Sequence, residues 1–210
     1  PDAIEDVHRA YLAAGADCIT TASYQASVPG FVEAGASGDE AVDLLLRSSD
    51  IALRARDRHV AEGAGEGPSP LVAASVGPYG AYLADGSEYD GSYGIPASGL
   101  KRFHAERLSL LASSGVDLLA CETIPSGLET EVLVDVLEAR AGDMRAWMSF
   151  SCRDGGHLHD GTPIEEVVTM CEATDRVVAV GVNCTPPRFV PELIERAAGE
   201  TDLPLMAYPN

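Results

Sequence analysis

The residues best suited to chemistry in this sequence follow short apolar runs. Val177 to Val182 is a mainly β-branched run, and Asn183 and Cys184 come directly after it. A run without polar alternation is typical of a strand buried on both faces of a parallel sheet. A thiol at the carboxyl end of such a strand stands where α/β folds place their chemistry, and as a thiolate it could ligate zinc. By position alone, Cys184 is more often a small buried core residue.

Polar side chains also follow other predicted strands. Glu122 lies at the end of VDLLACET, Ser75 in LVAASVGPYG and Ser151 in RAWMSFS. A carboxylate at a buried strand end is costly unless it is paired, so Glu122 is predicted to bind a ligand rather than form a structural ion pair. Ser75 and Ser151 either line the same pocket or cap local turns. Chemistry spread over many strand ends is typical of a (β/α)8 barrel.

Helical and strand-like segments alternate along the whole chain. Segments 13–23 and 113–123 repeat one order of helix end, Gly, any residue, Asp and strand. Repeated joints of this kind predict βαβ units and a parallel sheet of about six strands. A doubly wound sheet and a (β/α)8 barrel both fit, although a barrel needs about two further strands. No glycine-rich nucleotide-binding pattern follows any predicted strand.

Composition narrows the partners and the compartment. The 210 residues suit one domain, and 14 Lys+Arg against 33 Asp+Glu give a net charge of −19, which disfavours nucleic acid and anionic membranes. Five cysteines without a CxxC pair form no disulfide framework, so they predict a reducing compartment. No signal peptide opens the chain, and no apolar run reaches the roughly 18 residues of a membrane helix. We therefore predict a soluble cytoplasmic protein.

One long segment and three histidines lie outside this pattern. Residues 79–96 show no clear period, and their four tyrosines favour an ordered lid over a site rather than disorder. His157 and His159 are predicted to be solvated loop imidazoles rather than metal ligands. His104 is predicted to lie on a helix at the surface or at its boundary.

Six strings occur along the chain in the order HRAYLAAGADCITTASYQAS, SVGPYGAYLADGSEYDG, DLLACETIP, SFSCRDGGHLHDGTP, VVAVGVNC and LPLMAYPN. Together they resemble the homocysteine S-methyltransferase family. The SVGPYGAYLADGSEY string is similar to the branch that uses S-methylmethionine or S-adenosylmethionine as methyl donor. The resemblance implies a zinc-dependent (β/α)8 barrel that methylates the homocysteine thiolate to give methionine, and hence a role in methionine biosynthesis.

The resemblance also assigns roles to individual residues. Cys184 matches the family's first zinc ligand, and Glu122 matches the carboxylate that holds the substrate ammonium. Gln25 is placed on a substrate-facing loop, and Asn183 is expected to shape the metal site. The zinc-activated substrate thiolate is the nucleophile, so no further catalytic side chain is expected. Ser75 and Ser151 complete the expected substrate-binding set.

The family pattern extends past this sequence at both ends. The other two zinc thiolates belong to a Gly-Gly-Cys-Cys motif expected beyond Asn210, and the first strand is expected before Pro1. We therefore expect residues 1–210 to form a single homocysteine-binding barrel domain that lacks the first and last strands. Two alternatives stay open: a non-catalytic remnant or binding protein without metal, and a related methyltransferase with another thiol or selenol acceptor. The methyl donor and the oligomeric state are not predicted.

Overall fold

A computed structural model describes residues 1–63 and 67–209. Within these residues, six strands form one sheet: β1 (Cys18–Thr20), β2 (Leu71–Val76), β3 (Leu118–Ile124), β4 (Ala146–Phe150), β5 (Val177–Asn183) and β6 (Leu205–Tyr208). Every neighbouring pair is parallel, and the spatial order is the sequence order. The predicted α/β fold with a parallel sheet is confirmed.

Helices connect the strands and cover the outer face of the sheet. They are α1 (Asp2–Ala13), α2 (Val28–Glu33), α3 (Gly38–Ala61), α4 (Tyr79–Leu83), α5 (Ala97–Ala112), α6 (Gly127–Arg140), α7 (Ile164–Glu172) and α8 (Val190–Ala198). Side-chain caps fix three starts: Ser27 caps α2, Ser37 and Glu40 form a capping box on α3, and Ser126 caps α6. The short helix α4 lies in segment 79–96, for which the sequence shows no clear period.

The two faces of the sheet carry different residues because side chains alternate along a strand. On β3, Leu119 and Cys121 are fully buried in the large core between the sheet and the helices. Ala120 points to the opposite, inner face, where it joins Ala73 and Trp147 in a small second cluster. Further along the strands, this inner face carries polar side chains, among them Glu122 of β3. The inner face is therefore where the sheet can bind a ligand.

The strand order decides between the two predicted architectures. A doubly wound sheet reverses its strand order at a switch point, and these six strands do not. The sheet also curves strongly, because the Tyr208 hydroxyl on β6 reaches Glu122 on β3 at 3.0 Å. In a flat sheet, three strand spacings would separate these backbones by about 14 Å. The six strands therefore form a half-barrel, and the doubly wound alternative is wrong for them.

Buried thiol and histidine side chains test the sequence expectations for these residue types. Cys121, Cys152 and Cys171 are buried, as expected for small core residues, whereas Cys18, expected to be one as well, is only half-buried. His104 was predicted at the surface or its boundary, and this is wrong because its side chain is 0% exposed between α5 and α6. Its partner is Glu129, 25 residues away, so the periodicity of α5 alone does not reveal it. Across residues 1–63 and 67–209, no helix combines the length and the apolar character needed to cross a membrane.

Candidate active site

Glu122 lies at the centre of a hydrogen-bonded group on the inner face. Its Oε1 accepts a hydrogen bond from Ser75 Oγ at 2.5 Å, and its Oε2 accepts one from the Tyr208 hydroxyl at 3.0 Å. The Tyr208 oxygen lies 2.6 Å from Ser149 Oγ and accepts a hydrogen bond from Trp147 Nε1 at 3.2 Å. Four strands thus contribute to the environment of one carboxylate.

The electrostatics of Glu122 suit the binding of a cation. Burial raises its pKa, while the hydrogen bonds from Ser75 and Tyr208 and the charge of Arg107 oppose that rise. Among the residues that the structure describes, no arginine, lysine or histidine forms an ion pair with Glu122. A partly desolvated carboxylate held by neutral donors gains most from a ligand that brings a positive charge.

Thr123, Asn183 and Cys184 form a second group beside the first. Asn183 Oδ1 accepts a hydrogen bond from the Thr123 backbone N–H at 2.8 Å, and Asn183 Nδ2 donates to Thr123 Oγ1 at 2.8 Å. Two donors also face Cys184 Sγ, namely Thr123 Oγ1 at 3.6 Å and Asn183 Nδ2 at 3.5 Å. These two contacts orient the Cys184 side chain.

The backbone at this second group is strained. Thr123 has a φ of 63° and Cys184 a φ of 47°, in the left-handed region that β-branched and bulky residues avoid. Such conformations persist only where surrounding contacts enforce them, and they cluster at functional sites. Here the Asn183 side chain supplies those contacts, because it bonds to both the backbone and the hydroxyl of Thr123.

Two tyrosines from loops lie next to Cys184. Tyr89 lies near Cys184, and its ring centroid lies 5.9 Å from that of His159 in an edge-on contact. Tyr24 lies near both Thr123 and Cys184. Burial raises the pKa of both tyrosines, and the nearby Cys184 adds to the rise. The segment predicted as a lid therefore places one of its tyrosines at the thiol.

The structure brings most of the predicted site residues together. Ser75 contacts Glu122, and the buried Ser151 donates a hydrogen bond to the Thr123 carbonyl at 3.4 Å. Gln25 is exposed and donates instead to the carbonyl of Ala81 at 3.3 Å, so it contacts the lid segment rather than Glu122 or Cys184.

Sequence reasoning missed several members of the site. It passed over Thr123 and Tyr24, which lie beside residues it did select, and Tyr208. Tyr208 could have been found by the rule that selected Glu122. It is a polar aromatic residue at the end of the last predicted strand, LPLMAYPN.

The described residues fit one ligand position of a zinc site. In residues 1–63 and 67–209, no three His, Cys, Asp or Glu side chains are arranged to hold a metal ion. Catalytic zinc takes three protein ligands and keeps one open position. Cys184 offers one soft ligand, and Asn183 and Thr123 orient it by hydrogen bonds to its sulfur.

Comparisons with known proteins agree with this geometry. The family model described as homocysteine S-methyltransferase matches residues 1–210. The chain is 45% identical to homocysteine S-methyltransferase YbgG of Bacillus subtilis (strain 168) and 45% identical to a selenocysteine methyltransferase of Astragalus bisulcatus. Both matches include the whole chain, which spans 67% and 66% of the length of these relatives.

A solved structure gives the same result. The metallated form of the homocysteine methyltransferase MmuM from Escherichia coli superposes with a TM-score of 0.95 at 44% identity, over 100% of this chain and 72% of MmuM. At this identity and coverage, the likeness extends from the fold to the family. The chain therefore belongs to the homocysteine S-methyltransferase family.

Proposed function

We propose that this chain forms the acceptor-binding part of a zinc-dependent homocysteine S-methyltransferase. One observation carries the proposal: a carboxylate suited to an ammonium and a thiol suited to a metal lie next to each other. Glu122 precedes Thr123 in the chain, and Thr123 contacts both Asn183 and Cys184. An amino acid with a terminal thiol carries an ammonium and a sulfur at the two ends of a short chain, which matches this pair of positions.

In this proposal, Glu122 binds the ammonium of homocysteine. Ser75 and Tyr208 hold the carboxylate in place, so an incoming ammonium meets an oriented pair of oxygens. The cation also offsets the desolvation that raises the pKa of Glu122. Ser151 and Asn183 support the site from beneath through Thr123, and we propose that Gln25 contacts substrate only when its loop moves.

We further propose that Cys184 is one of three thiolate ligands of a zinc ion. The two others are expected beyond Asn210, and closure of the half-barrel to eight strands would bring them to the same edge of the sheet. When bound, zinc holds a substrate thiol as its thiolate at neutral pH. Asn183 and Thr123 keep the Cys184 sulfur oriented toward such a metal.

The methyl group would come from a sulfonium donor, S-methylmethionine or S-adenosylmethionine. The substrate sulfur forms a bond to the methyl carbon as the bond from that carbon to the donor sulfur breaks. The bonding electrons return to the donor sulfur, which leaves as a neutral thioether. We propose that this reaction supplies methionine. We also propose that it takes place in the cytoplasm, because five cysteines without a CxxC pair suit a reducing compartment.

A selenol acceptor is the second candidate. The selenocysteine methyltransferase of Astragalus bisulcatus is as similar to this chain, at 45% identity, as the Bacillus homocysteine enzyme. Selenocysteine is shorter than homocysteine by one methylene. Methyl transfer to homocysteine, selenocysteine and cysteine from the same donor separates the two functions, and we expect homocysteine to give the highest kcat/KM.

Zinc content tests the metal part of the proposal. The full-length protein should hold about one zinc per chain, and Cys184→Ser should lose the zinc together with methyl transfer. Cys18→Ser is the matched control, because Cys18 is a half-buried thiol of β1 outside the site. A metal-free full-length protein that still binds homocysteine would instead identify a non-catalytic binding protein.

A further inference from the structure

A buried carboxylate outside the substrate site ties down the lid segment. Glu129 on α6 is 0% exposed and accepts three hydrogen bonds. The Tyr79 backbone N–H and His104 Nε2 bond to its Oε1 at 2.6 and 2.8 Å, and the Tyr93 hydroxyl bonds to its Oε2 at 2.8 Å. None of these residues touches Glu122 in the contacts described above, so the substrate site does not account for this arrangement.

Two of these bonds join the two ends of one segment. Tyr79 and Tyr93 are 14 residues apart, yet their ring centroids lie 5.5 Å from each other. Between them the chain packs on itself, because a β carbon on Gly80 would clash with the backbone of Glu88. Tyr89, which lies near Cys184, is inside this closed segment. A single carboxylate thus fixes both ends of the segment that reaches the thiol.

A buried arginine fixes the loop on the other side of the thiol. Arg107, on the same helix as His104, donates to the carbonyls of Gly77 at 2.9 Å and of Ser23 and Tyr24 at 2.7 Å each. Burial lowers its pKa to about 10, which leaves it charged at neutral pH. Buried Arg107 therefore fixes the backbone of Tyr24, and buried Glu129 fixes the segment that contains Tyr89.

We propose that Glu129 is a positioning residue that holds Tyr89 over Cys184 by fastening both ends of the Tyr79–Tyr93 segment. A glutamine in its place keeps the shape but turns one of the two acceptor oxygens into an NH2 donor. If the NH2 group faces the Tyr79 N–H, that bond is lost, because both groups are donors. If it faces Tyr93, the hydroxyl oxygen accepts instead and the bond loses its charged partner. Tyr93→Phe removes one of the three bonds and leaves the carboxylate in place.

The reactivity of Cys184 toward iodoacetamide tests this in chelator-treated full-length protein, with Cys18 as the internal reference. Loss of a hydrogen bond to a charged group should raise the alkylation rate of Cys184 by about tenfold in Glu129→Gln and in Tyr93→Phe. Glu131→Gln, an exposed glutamate on the same helix, should leave the rate unchanged. Unchanged Cys184 reactivity in folded Tyr93→Phe overturns the proposal, even if Glu129→Gln fails to fold.

Steady-state kinetics provide a second readout, which rests on the proposed methyltransferase function. In Tyr93→Phe, kcat should fall while the KM for homocysteine stays within about twofold, because the Glu122 group is untouched. A rise in that KM with unchanged kcat contradicts a positioning role at Cys184. If the wild-type protein transfers no methyl group, the proposed function fails, and the alkylation result still decides the role of Glu129.

Discussion

Replacing Glu122 with glutamine tests the proposed ammonium site most directly. The variant keeps the side-chain volume, and Ser75 can still donate to the amide oxygen. Tyr208 can turn its proton toward Ser149, whose oxygen lies 2.6 Å away. The fold should therefore tolerate the change. Because burial raises the pKa of Glu122, removing its charge should leave the melting temperature unchanged or slightly higher.

The expected loss in acceptor binding follows from the contact that disappears. A hydrogen bond between charged groups contributes about 1.5–3 kcal/mol, which corresponds to a rise in the homocysteine KM of about 10-fold to 150-fold. The donor KM should change by less than about twofold, since Glu122 is proposed to contact only the acceptor. Glu131→Gln, with the same change in net charge on the exposed face of α6, should alter neither value.

A second acceptor makes the assay specific for the ammonium. The analogue 4-mercaptobutyrate lacks the amino group of homocysteine, so wild-type protein should discriminate against it strongly. In Glu122→Gln this discrimination should shrink by the same factor by which the homocysteine KM rises. Equal losses with both acceptors, or an unchanged homocysteine KM, would refute the ammonium-binding role of Glu122.

Two further predictions concern pH and packing. As pH falls through the raised pKa of Glu122, its carboxylate takes up a proton and can no longer pair with the ammonium. The value of log kcat/KM for homocysteine should therefore fall at acid pH, with a midpoint above the ordinary carboxyl pKa of 4.5. This fall at acid pH should be absent in Glu122→Gln. Stability has the opposite sign: the raised folded pKa favours the fold below 4.5, and this contribution is lost as pH rises through that pKa. Gly181→Ala should destabilise the protein by about 1–3 kcal/mol or more in urea unfolding, because the added β carbon would overlap the Met206 carbonyl oxygen. Gly38→Ala, with open space at that position, is the control and should not lower stability.

The sequence predicted the parts of the fold that local patterns encode. Apolar runs located β3 and β5, and the polar residues predicted at their ends, Glu122 and Asn183, lie near or at the ends of these strands. These predictions succeed because a strand buried on both faces must be apolar along its length, so that its first polar residue marks an end. Parallel strands have their carboxyl ends at the same edge of the sheet. The sequence therefore also predicts that the residues at these ends lie close together.

Contacts that depend on curvature and helix phase could not be predicted in this way. Tyr208 meets Glu122 only because the sheet bends across three strands. The pair of Glu129 and His104 depends on the angle at which α5 packs on α6, which neither helix encodes alone. The left-handed φ of Thr123 is equally hidden, because threonine by itself disfavours that conformation. Such features arise from tertiary packing rather than from local preference.

The left-handed turns at Thr123 and Cys184 make the two halves of the site respond to each other. Asn183 holds the peptide of Thr123, which is also the peptide that follows Glu122, and the same amide contacts the Cys184 sulfur. Through these shared contacts, we expect a ligand on the thiol to shift the base of the carboxylate, and a cation at the carboxylate to shift the thiol. By thermodynamic reciprocity, occupancy at either position changes affinity at the other by the same factor. We therefore expect a single peptide unit to act as the shared hinge of acceptor recognition and sulfur chemistry.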